Sequence, residues 1–219
     1  MTRSLAIVLL MGTVLAQPLF SQAPLPPPQQ PSSGAPASSG PWDFSLAALT
    51  YVVPDESNYV SPYFRADRNW LHLEARYNYE AQRTGSAWIG YNLSAGKNLV
   101  FDFTPMIGGV FGRTQGVAPG FLMSLTYKKL DLSSENEYVF NAEDSTENFF
   151  YTWSELGYSP VTWLRVGLVG QRTRAYETPL DLQRGIFAGV SYKRLDFTTY
   201  IFNLGWTDPT TVFAVSFDF

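Results

Sequence analysis

The chain has 219 residues, 45% of them hydrophobic, 16% aromatic and 16% charged, with no cysteine and a net charge of −4. This composition excludes a disordered tail, a disulfide scaffold and a cysteine-ligated zinc domain. The acidic balance leaves no basic surface for a nucleic-acid partner.

In chain order, MTRSLAIVLLMGTVLAQPLFSQA comes first, with Arg3 ahead of an apolar core from Leu5 to Leu15. It reads as a signal peptide over residues 1–16, cleaved before Gln17 or, at a second site, after Ala23. A membrane-spanning helix needs about 20 apolar residues, and this run stops sooner. Residues 17–41 carry no charge and are rich in proline, serine and glycine. Such a segment buries too little apolar surface to offset its ordering entropy, so it is expected to be a disordered periplasmic lead.

The body, residues 42–219, holds thirty-four of the thirty-five aromatics. Its dominant signal is alternation with period two, which argues strands and an all-β fold. Leu71, Leu73, Ala75, Tyr77 and Tyr79 alternate with His72, Glu74, Arg76, Asn78 and Glu80. Leu99, Phe101 and Phe103 alternate with Val100, Asp102 and Thr104, and Leu164, Val166 and Leu168 with Arg165, Gly167 and Val169. Alternation alone does not say which face is dry. Strand segments of about ten residues and aromatics near strand ends favour a membrane barrel, with the apolar face toward lipid, over a soluble sandwich.

The last nine residues carry the sharpest motif. Thr211, Phe213, Val215, Phe217 and Phe219 alternate with Val212, Ala214, Ser216 and Asp218 up to a terminal aromatic. Behind a signal peptide, this ending resembles that of bacterial outer-membrane β-barrel proteins. The resemblance implies that Phe213, Val215, Phe217 and Phe219 form the signal read by the barrel-assembly machinery, although Thr211 departs from the usual apolar residue. It also implies outer-membrane lipid as the surroundings.

Tight turns are expected near Lys193 to Asp196, Ser159 to Val161, Lys128 to Asp131, Ala95 to Asn98 and Asp67 to Asn69. Longer loops are expected near Trp206 to Thr210, Arg174 to Leu182, Glu143 to Glu147, Arg113 to Gly116, Gln82 to Gly85 and Pro54 to Asn58. That gives a transmembrane antiparallel up-and-down β-barrel of about 12 strands, with ten as the alternative, and both termini on the periplasmic side. Pro62 and Pro105 fall inside expected strands and each removes a ladder donor, so a bulge or break is expected near Pro105, Gly108 and Gly109. Arg83, Arg113 and Arg172, each followed by threonine, fall at the outer rim, where they either bind glycolipid phosphates or edge a solvated loop.

With the apolar stripes outward, the inward charges are Arg65, Glu74, Arg76, Asp102, Lys128, Asp131, Glu135, Glu137, Glu155, Arg165, Lys193, Asp196 and Asp218. Of these, Glu74, Arg76, Asp102, Glu135, Glu137, Glu155 and Arg165 are the candidate pore-lining residues. A turn centred on Pro160 sets Glu155 opposite Arg165, with Glu135 beside Glu155, so that the base relieves two acids. The inward charges suit either a cation-favouring ring or a plug of salt bridges, and Trp88, Trp153, Tyr200 and Phe202 would narrow the bore.

His72 is the only histidine, and its place in the alternation points it into the lumen, away from any lipid substrate. No catalytic set is assigned, and Asp131, Glu135 and Glu137 lack the spacing of a calcium loop. The function expected is a passive, porin-like channel for small polar solutes, with no metal or cofactor. The alternatives are a structural or adhesive barrel with a plugged lumen and an outer-membrane hydrolase.

Overall fold

A computed structural model describes residues 41–54, 57–175, 181–205 and 209–219. The signal peptide and nearly all of the proline-rich lead lie outside the described residues, as do the centres of three expected outer loops, at 55–56, 176–180 and 206–208.

The described chain is antiparallel sheet apart from one 3₁₀ turn at Ser145–Glu147. Its strands are β1 (Asp43–Val52), β2 (Tyr59–Arg68), β3 (Leu71–Tyr77), β4 (Thr84–Tyr91), β5 (Leu93–Gly96), β6 (Leu99–Gly112), β7 (Gly116–Tyr127), β8 (Leu130–Asn141), β9 (Phe149–Val161), β10 (Leu164–Ala175), β11 (Asp181–Tyr192), β12 (Leu195–Phe202) and β13 (Thr211–Asp218). Apart from β4 and β5, which do not pair with each other, consecutive strands pair, and β1 pairs with β13, which closes the wall. β4 and β5 both pair with β6, so together they make one wall strand and the barrel has twelve. Closure leaves only the short outer edge of β5 without a strand partner, so the rest of the wall meets what a span through hydrocarbon requires.

The pleat sorts the side chains as the alternation implies. In β3, Leu71, Leu73, Ala75 and Tyr77 point outward while His72, Glu74 and Arg76 are buried inside. Leu168 is 59% exposed and its neighbour Val169 only 4%. Large outward hydrophobics occur on strands all round the wall, a surface that soluble monomers rarely carry and that has the chemistry to face acyl chains. Trp70, Tyr91, Tyr127, Tyr158, Trp163 and Tyr192 are exposed at the tight-turn end, the arrangement of an interfacial girdle.

Four details differ from the sequence expectation. β6 runs through Pro105 without a bulge, and the gap falls in its partner instead. Tyr91 and Asn92, which would face Pro105 and Thr104, are missing from the ladder that β4 and β5 make with β6. Proline offers no N–H to a partner there, and on its other side Asn92 continues the ladder with β3, its backbone N–H donating to the Trp70 carbonyl at 2.7 Å. Second, the hairpin after β9 turns at residues 162–163 with an irregularity beside Pro160, so Glu155 faces Val169 rather than Arg165, and Glu135 faces Trp153 rather than Glu155. Third, Lys128 and Lys193 are not lumenal: each opens a two-residue hairpin, with φ of 57° and 58°, and is exposed. Fourth, Tyr79 leaves the lipid-facing stripe. Asn78 adopts φ 54°, a conformation asparagine tolerates, and the chain after it folds inward.

Candidate functional site

The lumen is filled in layers, described here from the tight-turn end toward the loop end. In the first, Arg165 of β10 reaches Asp131 of β8 at 2.5 Å and Glu155 of β9 at 2.6 Å. The other oxygen of Glu155 accepts from the Trp153 indole at 3.0 Å. Thus Arg165 does relieve two acids, but they are Asp131 and Glu155, reached along and across the strands rather than in direct register. Gly157 makes this possible, since a Cβ there would lie 2.5 Å from an Asp131 oxygen and 2.6 Å from the Arg165 Nε.

On the facing wall, His72 of β3 sits between Asp67 at 2.7 Å and Glu74 at 2.9 Å. Arg65 of β2 donates to Glu74 through Nη2 at 2.8 Å and Nε at 3.0 Å. The Asn92 side chain donates to Asp67 at 2.6 Å and accepts from Thr104 at 2.7 Å.

The next layer centres on Arg76, which is almost fully buried. Its Nε donates to Glu74 at 2.6 Å, and Nη2 also closes on Glu74. Nη1 meets Glu135 at 2.9 Å, Glu137 at 3.1 Å and Glu80 at 3.7 Å. The guanidinium carbon lies 4.2 Å from the ring centre of Tyr79 and 4.7 Å from that of Trp88, within cation–π range. Tyr79 donates to Glu135 at 2.8 Å, while Ser86 and the Trp88 indole donate to Glu80 at 2.5 and 3.2 Å. Four carboxylates from three segments therefore converge on one guanidinium, yet Glu80 Oε2 and Glu137 Oε1 have no hydrogen-bond partner.

The last layer is apolar and aromatic. Tyr51, Val139, Phe149, Tyr151, Phe202 and Val212 are sealed from solvent. Tyr51 stacks on Tyr59 with centroids 4.5 Å apart, and Trp153 meets Phe202 edge to face at 5.1 Å.

Of the candidate pore-lining residues, Glu74, Arg76, Glu135 and Glu137 come together in the Arg76 layer, and Glu155 with Arg165 in the first. Asp102 stands apart and accepts from Ser124 at 3.0 Å. The acids weighed for calcium separate, Asp131 going to Arg165 and Glu135 with Glu137 to Arg76. Among the described residues no group of three or more His, Asp or Glu side chains is placed to hold a metal ion. At the loop end, Arg83 and Arg113 are neighbours, the Arg113 N–H donating to the Arg83 carbonyl at 3.2 Å, whereas Arg172 lies beyond β7, β8 and β9. Phe213, Val215, Phe217 and Phe219 all face outward on the closing strand. Sequence reasoning left Glu80, Tyr79 and Trp88 out of the charged site. The asparagine just before Tyr79-Glu80 was the available signal that the chain turns there.

No family model matches the sequence, and no curated protein does. Among solved structures, a KdgM porin superposes with a TM-score of 0.57 at 12% identity, over 80% of this chain and 99% of that one. A KdgM porin in complex with disordered oligogalacturonate gives 0.56 at 10%, again over 80% and 99%. At this identity the likeness is one of fold, that of a bacterial outer-membrane β-barrel.

Proposed function

We propose that the protein is a passive channel of the bacterial outer membrane, letting small polar solutes run down their concentration gradients without a cofactor. The observation that carries this reading is the inside of the wall. Charged and hydrogen-bonding side chains from β2, β3, β8, β9 and β10 point into one lumen and offer a polar solute partners that an apolar interior would not. The porin fold of the similar structures supports it. The ligand named for one of them is not carried over. An oligogalacturonate is a chain of sugar acids, and here acids outnumber bases around Arg76. His72 supports a non-enzymatic reading, since both ring nitrogens are engaged by carboxylates and neither is left to activate a nucleophile. Insertion through the assembly machinery, guided by the outward phenylalanines of β13, belongs to the same proposal.

The sealed aromatic layer favours a second reading, a structural or adhesive barrel with a closed lumen. Conductance of the purified protein in planar bilayers separates the two. Discrete current steps in potassium chloride are expected. A closed trace at every voltage overturns the channel and leaves the structural barrel.

A further inference from the structure

We propose that the Arg76 layer is a recognition site for guanidinium and ammonium groups, held at rest by the protein's own arginine, so that the solutes of the channel are small organic cations. The inference rests on the channel reading and names its substrate class.

The site has what a planar cation needs and more than one arginine uses. Carboxylates of Glu74, Glu135, Glu137 and Glu80 surround the guanidinium in reach of its N–H fork, and Tyr79 and Trp88 offer ring faces. Arg65 is committed to Glu74 and His72 to Asp67 and Glu74. Four acids thus meet two arginines in a space closed to water. Two acceptors in the layer, Glu80 Oε2 and Glu137 Oε1 on side chains 0% exposed, lack a hydrogen-bond partner, against one donor, Nη2 of Arg76, which meets Glu74 as an ion pair without hydrogen-bond geometry. An unpaired buried carboxylate oxygen is unfavourable, and an incoming N–H donor with positive charge relieves it.

A second cation is therefore welcome beside Arg76 or in its place. Exchange of one guanidinium for another conserves every bond of the layer, so passage past Arg76 carries little net penalty for a solute that imitates it. A metal ion gains less, because the acids are not grouped to ligate one and ring faces serve organic cations better.

The test uses the full barrel in planar bilayers, with guanidinium chloride added at low millimolar concentration to potassium chloride and tetramethylammonium chloride as control. Guanidinium is expected to reduce the potassium current at concentrations where tetramethylammonium does not. Glu80→Gln and Glu137→Gln should each raise the half-blocking concentration about tenfold. In detergent, millimolar guanidinium should raise the unfolding temperature of Arg76→Ala by several degrees, and tetramethylammonium should not. If Arg76→Ala does not fold, Arg76→Lys, which keeps the charge without the fork, should show the same selective stabilisation. A conducting barrel that responds alike to both cations, or whose block is unchanged in both glutamine variants, overturns the site and leaves the channel. A barrel that never conducts overturns the channel, and the melting experiment then decides the site alone: selective stabilisation supports it and its absence refutes it.

Discussion

Gly108 and Trp88 face each other across the β4–β6 pair, and a Cβ on Gly108 would lie 2.4 Å from the indole ring. The missing side chain is what allows Trp88 to lie flat enough to cover Arg76 while its N–H reaches Glu80. Gly108→Ala should therefore displace the indole and lower stability by about 1–3 kcal/mol, the usual cost of overpacking. The midpoint of heat-induced band shift on a gel reads the loss, and a shift in tryptophan fluorescence should accompany it. An unchanged midpoint would show that Trp88 is not held by this contact.

Arg165→Met keeps much of the side-chain volume and removes the charge. Asp131 and Glu155 are then left facing each other in the lumen, at a cost of about 3 kcal/mol for breaking a buried pair. Adding Asp131→Asn and Glu155→Gln should recover most of that loss, because what destabilises is the uncompensated charge. Equal stability of the single and the triple variant would contradict this.

The outward face gives a prediction of opposite logic. Leu168 points away from the lumen near the middle of β10. Leu168→Arg should cost about 2–4 kcal/mol in a bilayer, as charges on the lipid face of a barrel do near the midplane. On a water-exposed surface the same change would be close to neutral. Unfolding of the two proteins from lipid vesicles by denaturant measures the difference.

Outside the membrane, Asp144 caps the short turn at Ser145–Glu147, accepting from the Thr146 backbone N–H at 2.8 Å and its hydroxyl at 2.7 Å. These bonds favour the carboxylate and hold its pKa below the ordinary aspartate value, the hydroxyl bond contributing most. With a depressed folded pKa, the cap is complete above the unfolded value and is lost as pH falls through the folded one. Carbon NMR of the Asp144 carboxyl should show a titration midpoint below that of a free aspartate. Thr146→Ala should bring it back toward the ordinary range, and no movement would show that the hydroxyl does not matter.

How far the sequence reveals this molecule depends on range. Parity along one strand is a local property. The facing of His72, Glu74 and Arg76 against Leu71, Leu73 and Ala75, and the burial of Trp88, Trp153, Tyr200 and Phe202, are readable from period-two alternation alone. Register is less local. The hairpin at residues 162–163 has neither glycine nor asparagine to mark it, and Pro160 drew the expected turn to itself, which shifted Glu155 from Val169 to Arg165. Lys128 and Lys193 stand in the expected turns, yet extending strand parity into the turn assigns them to the lumen, where a positive-φ residue no longer follows the pleat. Contacts across the bore are least visible. Arg76 and Glu135 sit on β3 and β8, four places apart round the wall, and no pairing arithmetic joins them. The resting ion set is a property of the closed cylinder and became legible only when the cylinder was closed.

The most direct measurement concerns the solvent that the apolar face chooses. Residues 42–219, refolded into detergent micelles or lipid vesicles, should run ahead of the boiled sample on a denaturing gel when left unheated, and should sediment with the vesicles. The account predicts that faster, heat-sensitive band and no stable fold in plain buffer. A folded, monodisperse species in buffer free of surfactant, with one mobility before and after boiling, would contradict it.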